Sequence, residues 1–482
     1  MHFMRNRYLA LVSSLWAATR AQGDTTQIGS IVETDVIIIG GGASGAHAAV
    51  RLTDFGQKVV LIEKQPELGG AVDSYTDVTD GKSYNFGVQA WVDYGNSTQF
   101  FERFNISLGQ SNALTLNALY ADFTTGQTLD NYTGPSTDDM VVALQKYLTI
   151  CESYEDLIVP GLWDFPNATS IPDDLLMQFG DFVEKYGIQA ALPSMWLSTG
   201  FGVGAMLNEL TLSVMQAFGA QMARLFLGLQ PSYVPASGRY QDLYDAIASY
   251  LGESIYLNTR AIHSKRTDNG VAVTVRNEID GNETVFHAKK LLIAIQPVGK
   301  KLAAFDLDRN EEKVFEKIQY TREYTGIVSS PSIPANISIN NLPYSENDNN
   351  LLDWQDFNFT AFFQALDYHK DLFEVTMAGD EKLGPEEARA MTEQDFSNLV
   401  NSGVFAPSAS NDTRLEWVAF SDHGPMHDRV SREDLEAGFV QSLYALQGHR
   451  STWYTGGAWA SNYQTILWEY NEILLPRMLA AK

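Results

Sequence analysis

The sequence predicts an α/β fold that begins with a Rossmann-like unit, on three observations. The β-branched run Val36-Ile37-Ile38-Ile39 ends in Gly40-x-Gly42-x-x-Gly45. A second run, Lys58-Val59-Val60-Leu61-Ile62, delivers an acid, Glu63, eighteen residues after Gly45. Strand patterns return much later, at Val271–Val275 and Leu291–Ile295, and predict that the chain re-enters the same sheet.

The first unit spans 34–64. Gly40 permits a tight turn out of the strand, Gly42 lets a pyrophosphate approach the backbone, and Gly45 lets the next helix lie close to the sheet. That helix points its positive N-terminus at the phosphates. A carboxylate at Glu63 accepts hydrogen bonds from ribose hydroxyls and repels a 2′-phosphate. Glu67-Leu68-Gly69-Gly70 follows, then a turn with a strand-like flank at Tyr84–Trp91.

Residues 136–230 read as helical. The spacing Leu175-Leu176-x-x-Phe179-x-x-Phe182-Val183 predicts one amphipathic helix, and the apolar stretch 205–227 a buried helix against a pocket. Residues 236–300 are α/β again, with a hairpin-like turn at Gly281-Asn282. Residues 301–414 carry several β-like runs and a polar loop over 341–353. The last segment, 415–482, holds Trp453-Tyr454-Thr455-Gly456-Gly457 and then a long amphipathic helix ending near Leu479. No internal repeat or low-complexity tract is present.

Composition narrows the function. A formal net charge of −26 repels nucleic acid and anionic membranes, so neither is expected as a partner of the mature chain. Arg5 and Arg7, the apolar run from Tyr8 to Thr19, and Thr19-Arg20-Ala21 read as a secretory leader over 1–21; an uncleaved anchor is the alternative. Eight Asn-x-Ser/Thr sequons agree with an N-glycosylated chain in the secretory lumen or outside the cell: Asn96, Asn105, Asn131, Asn167, Asn282, Asn336, Asn358 and Asn411. Cys151 is the only cysteine. No internal disulfide or dithiol redox pair is possible, so redox chemistry must come from a bound cofactor.

Taken in order, Gly40/Gly42/Gly45, Glu63, Gly69-Gly70, Gly87-Val88-Gln89 and Tyr454-Thr455-Gly456-Gly457 resemble the amine-oxidase-like FAD superfamily, flavoproteins of glutathione-reductase type. Within it the chain looks most like secreted fungal flavoproteins of the β-cyclopiazonate dehydrogenase type. Through Gly448–Gly456 and Glu433–Gly438 it is also similar to flavin-dependent polyenoic fatty acid isomerases. The resemblance is weak over 100–235 and 300–410.

It implies a Rossmann-like FAD-binding domain from 32–98, 236–300 and 415–482, interleaved with an α+β substrate domain from 99–235 and 301–414. Gly40, Gly42, Ala43, Ser44 and Gly45 would line the pyrophosphate, and Glu63 with Lys64 the adenosine ribose. Gly69 and Gly70 would pass close to the diphosphate. Val88 and Gln89 would sit near the flavin, and Ala261 near the adenine. Gly456 and Gly457 would open the final helix toward the flavin's pyrimidine end, with Tyr463 and Gln464 just beyond.

Some positions depart from the family pattern. Ala71 stands where many relatives have arginine, and Gly457 where an acid is common. Gln319–Gly326 lacks the lysine of ordinary amine oxidases. Cys151 is far from the late motif, which implies noncovalent FAD, with a histidyl or tyrosyl link left open.

The implied activity is hydride removal from a small organic molecule, a fungal secondary metabolite, by dehydrogenation or oxidative cyclisation. Oxygen would re-oxidise the flavin. Double-bond isomerisation and non-catalytic FAD binding are the alternatives. Trp91, Trp354, Phe362, Phe363, Tyr463 and Trp468 are candidate pocket walls. His423 and His427 suit a metal or acid–base site, but the run Asp422–Asp428 reads more simply as a surface turn. No metal-ligand spacing and no general base is identified from sequence.

Overall fold

The structure, a computed structural model, describes residues 31–88, 90–110, 114–405 and 413–481. The predicted leader, Gln89 and the sequon Asn411 lie outside them.

β1 (Ile31–Ile39), α1 (Ala43–Asp54) and β2 (Val59–Ile62) form the opening βαβ unit. β1 and β2 run parallel, with Val36 opposite Val59 and Ile39 opposite Ile62. From Val36 to Ile39 in β1, and throughout β2, the β-branched residues are buried in the core, where α1 packs on the sheet. Burying a side chain such as Ile38 is worth roughly 1.5–3 kcal/mol. The first sheet runs Ile255–Tyr256, β2, β1, Glu283–Ile293, Gly270–Asn277, Thr259–Thr267. The long strand Glu283–Ile293 pairs on its far edge first with Gly270–Asn277 and then with Thr452–Tyr454, so the late motif is delivered beside the end of β1.

A second seven-stranded sheet has the order Glu416–Arg429, Gln319–Ser329, Leu372–Gly379, Phe359–Ala365, Ile337–Asn341, Asn117–Asp122, Gln127–Thr128. The helix Pro385–Asn401 packs on it through Ala388, Phe396 and Leu399. Helices between 137 and 226 join the core of the first sheet.

Four local expectations need correction. The strand Glu416–Arg429, expected with the FAD-binding segment, is hydrogen-bonded into the second sheet. The stretch 175–183 is a 3-10 turn over Asp173–Leu176 followed by the helix Phe179–Tyr186. The apolar stretch 205–227 is broken into Thr211–Ala217 and Ala220–Phe226, with Phe218 and Gly219 ending one helix and starting the next. The last helix, Gln464–Ala480, is buried on most sides rather than amphipathic, because it lies between α1 and Trp91–Val92, with Trp163 stacked on Tyr470. Cys151 is free and buried on the helix Thr137–Ile158, a small apolar filler.

Candidate functional site

The glycine cradle is closed by contact. A Cβ at Gly45 would lie 1.9 Å from the carbonyl oxygen of Gly40, so α1 sits directly on the turn that precedes it. Gly42 and Gly69 pair as a short parallel bridge, and the Gly69 N–H donates to the Gly41 carbonyl at 3.0 Å. A Cβ at Gly70 would come within 2.9 Å of the Gly42 Cα. The two glycine clusters, 69–70 and 40–45, are thus one backbone surface.

Glu63 is buried at the end of β2 and faces this surface. Its Oε2 accepts from the Gly41 N–H at 2.6 Å and its Oε1 from the Gln65 N–H at 2.8 Å. Lys64 beside it is exposed. The Thr259 N–H donates to the Glu63 carbonyl, which sets the start of the Thr259–Thr267 strand, and hence Ala261, beside the same end of β2. Val88, half-buried, donates its N–H to the Ala71 carbonyl and follows the Gly69-Gly70 strap.

The late motif reaches the cradle from the other side, with one correction. The final helix begins at Gln464, with Tyr463 as its N-cap, and not at Gly456-Gly457. Gly456, at φ +123°, turns the chain, and a Cβ there would meet nothing within 4 Å. Gly457 lies against Asn462 and Gln296. Tyr463 donates its hydroxyl to the Ala217 carbonyl, so it is anchored to the helical layer. Ser44 Oγ, Gln296 Oε1 and both amide atoms of Gln464 are buried without a hydrogen-bond partner among the described residues. Such atoms are rare in folded proteins and mark places where a ligand or water supplies the missing bond.

The late motif is pinned by a buried ion pair. The Arg266 guanidinium, fully buried, contacts Glu311 Oε1 and Oε2 at 2.7 Å and the Tyr454 hydroxyl at 3.3 Å, and Tyr454 donates to Glu311 at 2.7 Å. Asp308 caps the helix that carries Glu311, and His449 contacts Asp308 at 2.6 Å.

A narrow cleft ends at Gly457. Its outer part is about 30 Å³ and mostly apolar, with Leu212, Ile318, Phe439 and Val440 among its walls. Its inner part, about 10 Å³, is lined by His427, Asp428, Gly457, Ser461 and Asn462 among others. Ser213, Gln216 and Asp428 line both.

The two histidines are not on a surface turn. They stand on the strand Glu416–Arg429 with side chains 4% and 12% exposed. His423 contacts Asp73 at 2.8 Å and Glu323 at 3.7 Å. Burial works against its charge, yet the two acids hold its pKa up at about 9. Burial also opposes the Glu323 carboxylate, but its hydrogen bond to His423 and the field of both histidines keep its pKa lowered. His427 packs against Gly202 and is pushed down by burial.

The aromatic candidates fall elsewhere. Trp91 packs on Phe101 and Tyr240, Phe363 on Phe123 and Phe396, and Trp354 on Trp196. Trp468 donates to the Ala43 carbonyl and stacks on His47. Neither these four, nor Phe362, nor Tyr463, lines the cleft. A separate cavity of about 290 Å³ opens between α1, Ser97–Arg103 and the final helix; of the aromatic candidates Trp468 lines it, and none of the predicted cofactor residues does.

Comparison with known proteins gives three results. Residues 38–104 match the family model of an NAD(P)-binding Rossmann-like domain. The chain is 32% identical over 461 residues to the FAD-dependent oxidoreductase pigF of Monascus ruber, covering 93% of each. It is 29% identical to the beta-cyclopiazonate dehydrogenase of Aspergillus flavus, over 99% of this chain and 100% of that one. Among solved structures, a CLA-producing fatty acid isomerase from P. acnes superposes at TM-score 0.67 and 17% identity over 92% of this chain and 98% of its own. A redesigned putrescine oxidase superposes at TM-score 0.62 and 14% identity over 94% of this chain and 100% of its own. The two structures share the fold of this chain.

Proposed function

Because this chain belongs to the FAD-dependent oxidoreductases and shares the fold of a putrescine oxidase, we propose that it dehydrogenates a small, largely apolar secondary metabolite and passes the electrons to oxygen. The observation that carries this reading is the cleft: its outer, mostly apolar part adjoins, through Ser213, Gln216 and Asp428, an inner part lined by Gly457 of the late motif.

The residues present fit FAD. Ser44, Gln296 and Gln464 bring buried polar atoms that lack partners among the described residues, and the Gly42–Gly70 contact leaves bare backbone for a diphosphate. The N-terminus of α1 favours the phosphates, Glu63 the ribose, and the N-terminus at Gln464 a developing negative charge. FAD bound there supplies a two-electron acceptor for a hydride from carbon. The chain's own residues orient that carbon and keep water out of the cleft.

Secretion and glycosylation belong to the same reading. The leader pattern supports it, and all seven described sequon asparagines are exposed. Among the described residues no helix is long and apolar enough to cross a membrane.

The test is anaerobic. Candidate metabolites are mixed with the yellow protein, and bleaching is followed by admission of air. Bleaching, then recovery of colour with peroxide release, supports the oxidase reading. Turnover of a polyene with no peroxide and no oxygen requirement replaces it with isomerisation.

A further inference from the structure

We propose that Asp428 is a catalytic residue that accepts the proton of a substrate O–H or N–H, and that the substrate is therefore an apolar molecule carrying such a group on the carbon to be oxidised. The inference rests on the dehydrogenase reading above.

Asp428 stands where the outer and inner parts of the cleft meet, since it lines both. Its two carboxylate oxygens are shielded from solvent, and neither has a hydrogen-bond partner among the described residues. A buried carboxylate without partners is costly, so its retention calls for a group that arrives with the ligand. The flanking walls are apolar: Leu212, Ile318 and Phe439. Ser213 and Gln216 also line the cleft, so the unpartnered carboxylate is the charged acceptor in a lining that is otherwise apolar or neutral apart from Arg429.

The backbone aims the acid. Successive residues of a strand point to opposite faces, yet His427 and Asp428 both line the inner cavity. His427 makes this possible with φ +52°, a left-handed conformation uncommon outside glycine, although histidine adopts it more often than most residues. Strain of this kind is found where geometry serves a site.

The charged neighbours leave Asp428 free to exchange a proton. Arg429 is engaged by Glu209, at 2.9 Å, and by Thr321. His427 faces Glu323 at 3.9 Å. The Lys301 amine lies against Gly424 and is pushed down to about 8 by burial. Burial raises Asp428 to about 7, with Lys301 and Arg429 acting in the opposite direction. A carboxyl that titrates near neutrality is suited to accept a proton in turnover.

The step balances as follows. The substrate C–H bond breaks and its electron pair would leave with the hydrogen as hydride, for which FAD, when bound, would be the two-electron acceptor. The adjacent O–H or N–H bond breaks, its electron pair forms the C=O or C=N bond, and its proton goes to an Asp428 oxygen. The cleft is narrow, with room for about one water in its outer part, so the walls must part as substrate enters.

The test uses the FAD-loaded protein and two probes with matched apolar bodies, 4-ethylphenol, which has an O–H, and 4-ethylanisole, which does not. Binding is read as a perturbation of the flavin spectrum. The expected result is that wild type prefers 4-ethylphenol about tenfold or more, and that Asp428→Leu reduces the preference to within about twofold while FAD content is unchanged. In wild type the 4-ethylphenol affinity rises between pH 6 and 8, around the Asp428 value of about 7, and in Asp428→Asn, which keeps the shape, it stays flat. A preference or pH dependence that survives both substitutions overturns the proposal, as does failure of either probe to bind at millimolar concentration. FAD content is measured first. Folded protein that holds no FAD defeats the function itself, whereas yellow protein with unaltered selectivity defeats only the role of Asp428.

Discussion

The side-chain amide of Asn471 donates to the main-chain carbonyl of Ser44 at 2.8 Å, from the final helix to the first turn of α1. The oxygen of the same amide accepts from Thr455 Oγ1 at 2.7 Å. One buried residue therefore ties the glycine cradle to the late motif, more than four hundred positions apart in sequence. Asn471→Leu leaves the buried Thr455 hydroxyl without this acceptor and removes a second bond from the Ser44 carbonyl, which keeps its helical one. The expected cost is about 1–3 kcal/mol, read by denaturant unfolding, with faster loss of FAD on dilution.

Gly70→Ala tests the close approach of the two glycine clusters. Its new methyl would fall 2.9 Å from the Gly42 Cα, at a position where φ is +65°. The expected outcome is a folded protein whose FAD affinity falls about tenfold or more, a loss of about 1.4 kcal/mol. Titration of stripped protein with FAD, followed by flavin fluorescence, measures it. Unchanged affinity would separate the Gly69-Gly70 strap from the cofactor surface.

Arg266 and Glu311 are both fully buried. Removing one partner strands the other charge, so Arg266→Met is expected to destabilise by about 3–5 kcal/mol. The paired replacement Arg266→Met with Glu311→Leu should recover much of this. A double-mutant cycle in urea decides it.

The His423 contacts predict loss of stability at alkaline pH. Its folded pKa, about 9, lies above the unfolded value of 6.5. Its contribution is therefore complete below 6.5 and disappears as pH rises through 9. Glu323 is lowered, so its contribution is present above its unfolded value and lost in acid. Melting temperatures of wild type should fall between pH 6.5 and 9, and in His423→Gln that slope should flatten.

The sequence made the cradle legible because its signals are local: a strand, three spaced glycines and an acid at the end of the next strand. The final helix was misplaced because glycines usually open a helix at such a motif, whereas here Gly456 turns the chain and Tyr463 caps the helix seven residues later. Asp428 was missed, and the two candidate histidines were placed on a surface turn, for another reason. Asp-His-Gly-Pro-Met-His-Asp has the composition of a turn. Its burial comes from pairing with Gln319–Ser329 and from the Gly202 backbone packed on His427, contacts that local composition does not encode. The break at Phe218-Gly219 had a visible signal in its glycine, outweighed by the continuous apolar run around it.

The central claim is that this chain holds FAD in the surface formed by 40–45, 63, 69–70 and 456–464. The most direct measurement is the visible spectrum of natively purified protein, with the cofactor released by denaturation and identified by mass. The account predicts about one FAD per chain, released without covalent attachment, and lower FAD occupancy in Gly70→Ala with the fold retained. Folded wild-type protein that is colourless and takes up no FAD when it is supplied would contradict it.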